Sequence, residues 1–155
     1  MTAKLIEDRT HVFETASSLD TIRVGHEIVS LLAPPRLLIL RGDLGSGKTT
    51  LVKGIAQALE AAEPDEVTSP TFTLVHEFEG TREGKPVTLY HLDVYRLEGE
   101  RQLESLGLED MLIEDAIVLV EWGEKFSSIV KKSNGEIFIE NIGGDTRRIT
   151  VSLKD

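Results

Sequence analysis

Nine residues, GDLGSGKTT at positions 42–50, constrain this chain more than any others. They follow RLLIL (36–40), a nearly continuous apolar run of the kind that forms a strand buried on both faces. Gly42, four residues, Gly47, Lys48 and Thr49 match the phosphate-binding loop pattern, and a preceding strand with a following helix is the context that separates such a loop from an ordinary glycine turn. Gly42, Gly45 and Gly47 let the backbone turn its amides, from Leu44 through Gly45, Ser46 and Gly47 to Thr49, inward as an anion nest. A helix starting near Lys48 adds the positive end of its dipole. Lys48 then brings a full charge to the β and γ phosphates, and the Thr49 hydroxyl is placed for Mg²⁺. Leu44, Gly45, Ser46, Gly47, Lys48, Thr49 and Thr50 are thus the candidate nucleotide contacts.

Charge sharpens the question. Seventeen basic against 27 acidic side chains give a formal charge of −10. Such a surface repels nucleic-acid backbones, so stable direct binding of tRNA is not expected. An acidic protein that holds a polyanion must concentrate positive potential in one small place and recruit a divalent cation. The absence of cysteine excludes disulfides and thiolate metal sites. No stretch approaches the ~20 apolar residues that span a bilayer, and the start MTAKLIEDRT lacks a signal peptide's apolar segment. A cytoplasmic location without membrane attachment is the expectation.

The remaining pattern reads as one α/β domain over 1–155. HVFET (11–15) reads as a strand. ASSLDTIRVGHEIVSLL (16–32) reads as a helix opened by Ser17 with Asp20 three residues on, its apolar face at Leu19, Ile22, Val29 and Leu32. TTLVKGIAQALEAA (49–62) gives a helix with Leu51, Ile55 and Leu59 on one edge. FTLVHEF (72–78) and PVTLYHLDVY (86–95) read as a hairpin that sets His76 near His91; the link is too short for a crossover helix. One or two short helices over 99–115, the apolar strand AIVLVE (116–121), and an antiparallel pair EIFIENI and RRITVSL around a GGD turn complete the chain. The fold class is a P-loop NTPase three-layer α/β sandwich, with a mixed, mainly parallel sheet and antiparallel edge strands.

A phosphate-binding loop needs an acid at the end of a neighbouring strand, to hold the metal's shell or steer the attacking water. Glu121 closes a fully apolar run and is the better candidate; Asp93 closes VTLYHLD and, from the residues alone, reads equally as a solvated acid. Thr71 in TSPTF either approaches the γ-phosphate or belongs to a simple turn at Ser69 and Pro70. Trp122 reads as core. No arginine is plainly placed as an internal finger; Arg96 and Arg148 are the candidates.

With GDLGSGKTT, SPTFTLV, LYHLDVYRL and LVEW in that order over roughly residues 40–125, the chain resembles the TsaE (YjeE) family, bacterial ATPases of tRNA threonylcarbamoyladenosine biosynthesis. The resemblance implies a MgATP-hydrolysing accessory protein. It would act with the TsaD–TsaB complex, which threonylcarbamoylates adenosine 37 of tRNAs reading ANN codons. It implies Lys48 and Thr49 as the Walker lysine and threonine, and Glu121 and Asp93 beside Mg²⁺. Thr71 would sit in a switch-like loop, with adenine contacts near Ser18 and Gly144. Gly123 stands where many relatives place proline after EW, a departure expected to alter the turn rather than the chemistry. Two other classes remain open at this stage. One is a small-metabolite P-loop kinase, against which the short connectors and the lack of a paired-arginine lid argue. The other is a nucleotide-gated binding module that scarcely hydrolyses.

Overall fold

A computed structural model describes residues 4–7, 9–43 and 45–154. Among them eight strands form one sheet: β1 (Lys4–Glu7), β2 (Thr10–Thr15), β3 (Arg36–Arg41), β4 (Val75–Arg82), β5 (Lys85–Asp93), β6 (Ala116–Glu121), β7 (Gly135–Gly143) and β8 (Thr146–Leu153). Their spatial order is β1-β2-β8-β7-β3-β6-β5-β4. The central strands β7, β3, β6 and β5 run parallel, while β4 on one side and β8, β2 and β1 on the other pair antiparallel. Five helices pack around them: α1 (Ser18–Val29), α2 (Lys48–Ala58), α3 (Glu100–Ser105), α4 (Leu108–Met111) and α5 (Ser127–Lys132).

The apolar strands explain the layers. Successive side chains on a strand point to opposite faces, so an unbroken apolar run needs a core on each side. In β3, Leu38 and Leu40 join Ile117 and Leu119 of β6 in a cluster with α1 and α2. Leu37 and Ile39 join Val118 and Val120 in a second cluster with Leu103 of α3, Met111 of α4 and Ile129 of α5. Helices cover both faces, as a three-layer fold requires.

Sequence pattern and structure differ in several places, among them β1, which the sequence did not mark. The buried stripe of α1 is Thr21, Val24, Gly25, Ile28 and Val29; Val29 and the following Leu32 are buried as expected, but Leu19 is 57% exposed. The helix is rotated because its backbone presses onto α2 through Gly25 and Gly54. A Cβ on Gly54 would lie 2.1 Å from the Ile22 carbonyl oxygen, and one on Gly25 would lie 2.7 Å from the Gly54 carbonyl carbon. Next, β4 starts at Val75 rather than Phe72: the Leu74 amide donates back to the Pro70 carbonyl at 2.8 Å, and Leu74 takes a left-handed φ of 70°. This turn keeps 68–74 out of the sheet. Finally, the polar connector between β4 and β5 shrinks to two residues, Glu83 and Gly84, both left-handed, because a primed turn matches the twist of the strands. The strands thereby reach into residues that composition alone assigned to a loop.

The α1–α2 contact yields a direct test. Alanine at Gly54 gains up to ~1 kcal/mol of helix propensity but forces two backbones apart. Gly54→Ala is expected to lose on the order of 2 kcal/mol net, as overpacking does. Urea denaturation measures it, with Gly99→Ala, which has open space around it, losing less than about 1 kcal/mol.

Candidate functional site

Parallel register assembles the site. Leu40 of β3 pairs with Glu121 of β6, and Asp93 of β5 pairs with the same Glu121. The loop after β3 and the last residues of β5 and β6 therefore share one edge, the carboxyl edge where ligands collect in such sheets. Residues 42–47 then lead into α2, whose N-cap is Gly47 at φ 112°. Where α1 is capped by the Ser17 hydroxyl accepting from the Asp20 amide at 3.1 Å, α2 has no capping side chain. Its first-turn amides are left to a ligand, with the helix dipole behind them.

Close packing holds the loop in shape. A Cβ on Gly42 would meet Ser46 Oγ at 2.5 Å and Ile139 Cγ2 at 2.7 Å. Arg147, on β8, donates from Nε to the Ser46 carbonyl at 2.7 Å and from Nη1 to the Gly144 carbonyl at 2.8 Å, tying the loop to the β7–β8 turn. Arg147 escaped the sequence reading because nothing local marks it; only the strand order carries β8 beside the loop. Ser46 is buried, and its Oγ has no hydrogen-bond partner among the described residues.

A cleft of about 640 Å³ opens on one side of the loop, lined by Gly45, Gly47, Lys48, Thr49, Thr50, Ser69, Thr71, Asp93, Tyr95, Glu121 and Trp122. Lys48 Nζ lies 3.4 Å from Glu121 Oε1 and 5.3 Å from the centre of the Trp122 ring. The other carboxylate oxygen, Glu121 Oε2, accepts from His91 Nε2 at 2.6 Å. Burial pushes the Glu121 carboxyl up, but the hydrogen bond and field of His91, followed by Lys48, outweigh it and hold the group below the usual carboxylate range. Asp93 is also buried: Oδ1 accepts from the Tyr95 amide at 2.9 Å and Oδ2 from the Thr71 hydroxyl at 3.4 Å. Ser69 and Thr71 share a hydrogen bond of 2.7 Å, so the 68–74 turn is fastened to the acid at the end of β5.

Trp122 lies half-buried at a left-handed φ of 66°; it packs against the second core cluster, as the sequence suggested, and also lines the cleft, its ring 4.9 Å from that of Tyr95 and tilted 53° to it. Backbone strain of this sort in a bulky residue is concentrated at functional sites. A smaller cleft of about 210 Å³ lies on the loop's other side, against Ser17, Ser18, Thr21, Asp145 and Arg147. Ser18 lines it, and Gly144 sits in the adjoining turn. Leu44 lies outside the described residues. Arg96 lies over the Phe72 ring of the 68–74 turn at 4.2 Å and Arg148 pairs with Glu14 at 3.5 Å; neither lines the cleft. The paired positions of β4 and β5 set His76 opposite His91, their rings 6.5 Å apart.

Strand, glycine loop and helix, with two acids at neighbouring strand ends, define the protein as a P-loop NTPase fold. Crystalline Bacillus subtilis YdiB has the same fold, with a TM-score of 0.65 and 27% identity over 100% of this chain and 89% of that one. The family model described as "Threonylcarbamoyl adenosine biosynthesis protein TsaE" matches residues 15–149, and the chain belongs to the TsaE family. It is similar to the tRNA threonylcarbamoyladenosine biosynthesis protein TsaE of Treponema pallidum, at 35% identity over 88% of this chain and 96% of that protein. The TsaE of Bacillus subtilis is 36% identical over 89% and 82%, and that of Aquifex aeolicus 43% over 70% and 74%.

The geometry around Glu121 fixes the sign of a pH effect. Its folded carboxyl titrates below its unfolded counterpart, so the ionised form stabilises the fold above the ordinary carboxylate range. That contribution disappears as pH falls through the depressed folded value. Urea midpoints are expected to show wild type ahead of Glu121→Gln at pH 7, with the gap closing below about pH 4.

Proposed function

We propose that this chain, acting as a single domain over 1–155, binds and hydrolyses MgATP in support of threonylcarbamoylation of adenosine 37 in tRNAs reading ANN codons. It works in the cytoplasm with the TsaD–TsaB complex. The observation that carries the reading is one cleft in which Lys48, the uncapped start of α2 and the buried carboxylates of Asp93 and Glu121 converge.

The loop amides and Lys48 bind the phosphate tail, and the smaller cleft beside Ser18 and the Gly144 turn takes the adenine. Two buried carboxylates would repel that polyanion in the absence of a metal. The Thr49 hydroxyl, Asp93 and Glu121 offer hard oxygen donors on one cleft wall, and each carboxylate oxygen keeps lone pairs beyond its present hydrogen bond. That donor chemistry suits Mg²⁺, which when bound neutralises charge on the β and γ phosphates. Lys48 follows the charge of the γ-phosphate as it develops, and Thr71 approaches that phosphate from the turn it shares with Ser69. Glu121 orients the attacking water and draws off its proton.

Neither Arg96 nor Arg148 lines the cleft: Arg96 lies over the Phe72 ring at the 68–74 turn, and Arg148 pairs with Glu14. An internal arginine finger is missing from this reading, so turnover is slow until a partner orders the 68–74 turn or supplies charge.

Replacing Lys48 by alanine is expected to lower kcat/KM for ATP by on the order of 100-fold or more. Phosphate-release assays check this, and a variant with normal turnover refutes the assigned role. TsaD–TsaB is expected to raise the rate of phosphate release, and reconstituted tRNA modification is expected to require both this chain and ATP. Equal yields of modified nucleoside with and without the chain refute the pathway role. Transfer of phosphate to a small metabolite in place of free phosphate identifies a kinase instead.

A further inference from the structure

His91 is fully buried on β5, one strand in from the edge of the sheet, an expensive place for an imidazole. Nε2 donates to Glu121 Oε2 at 2.6 Å, while Nδ1 has no protein partner. Among the described residues the bond to Glu121 is the one hydrogen bond the ring makes, beside an edge-on contact with the His76 ring. Strand register fixes the ring's place: His91 of β5 pairs with Leu119 of β6, two residues before Glu121 on the same face. From there the ring reaches Glu121 from beneath, on the side away from the cleft, and does not line the cleft.

Among the described residues, the Glu121 carboxylate is held at its two oxygens by Lys48 and His91. The two partners differ in permanence. Lys48 lines the cleft on a flexible stem, and its ammonium is the group that the proposed function sends to the phosphates. His91 is locked by burial in a strand interior and has nowhere to go. When Lys48 turns to a nucleotide, Glu121 loses its cleft-side partner and keeps the buried one.

We propose that His91 is a positioning residue for Glu121: it holds the carboxylate at the end of β6 after Lys48 leaves it, with one oxygen fixed and the other aimed into the cleft. This rests on the MgATP reading of the site. The requirement is geometric, an N–H at the position of Nε2. Glutamine places its amide nitrogen near Nε2, whereas asparagine places its nitrogen near Nδ1 and falls short of Glu121.

The test compares His91→Gln, His91→Asn and His91→Leu with wild type, after circular dichroism has shown which variants fold. ATPase kinetics give kcat and KM. Calorimetry gives Mn²⁺ affinity in the presence of ADP, a readout independent of turnover. Trp122 is the chain's one tryptophan and lines the cleft, so its fluorescence reports nucleotide binding. The asparagine and leucine variants are expected to lose 10–100-fold in kcat and in Mn²⁺ affinity, the usual cost of removing a ligand's supporting hydrogen bond. Their nucleotide affinity by fluorescence should stay within about threefold, and glutamine should restore both losses to within about threefold.

Asparagine and leucine variants with wild-type kcat and Mn²⁺ affinity would overturn the proposal. So would a glutamine variant as impaired as leucine, or nucleotide affinity falling in step with kcat, since each marks a purely structural histidine. Should leucine fail to fold, the asparagine–glutamine pair decides. A wild-type protein whose Trp122 signal ignores MgATP overturns the nucleotide reading itself, a failure separate from any result on His91.

Discussion

The parallel pairing of β6 with both β3 and β5 is the constraint from which the rest of the site follows. It matches Glu121 with Leu40 on one side and with Asp93 on the other. Sliding β5 by one residue would send Asp93 to the opposite face of the sheet, because side chains alternate along a strand. Register here is held by two apolar cores at once, so a slip would exchange Leu89 and Leu92 between cores that are packed around their present places. Stability and site geometry thus draw on the same contacts.

Around that frame the electrostatics are arranged in pairs. The chain is strongly acidic, yet its cleft brings a lysine, a helix N-terminus and two carboxylates together out of water. Each carboxylate is restrained by a neutral or cationic donor: Glu121 by His91 and Lys48, Asp93 by the Tyr95 amide and the Thr71 hydroxyl. Buried charges persist only when partnered in this way. Because Thr71 and Asp93 join the 68–74 turn to the end of β5, a change in that turn reaches the acids directly.

Much of this was legible along the chain. Glu121 stood out by closing the apolar run AIVLVE, whereas Asp93 at the end of VTLYHLD read equally as a solvated acid until the family resemblance raised it. A glycine loop between an apolar strand and a helix specifies a local geometry, since its cause lies within a dozen residues. The hairpin pairing of His76 and His91 was legible for the same reason. Features set by distant packing were not. The stripe of α1 turned away from Leu19 because Gly54 of α2 admits the backbone at Gly25. Trp122, large and apolar, reads as core and does pack against the second cluster, but that it also lines the cleft depends on the turn after β6.

The sequence alone determined that a phosphate-binding loop exists and which side chains it carries, for these are consequences of residue type and short-range backbone freedom. Tertiary structure decided what surrounds that loop. It brought Arg147 from β8 to the Ser46 carbonyl, 101 residues away, and set His91 beneath Glu121, 30 residues away. Those neighbours arise from strand order and register. Both are settled by how two cores fill at once, and no stretch of the chain contains them.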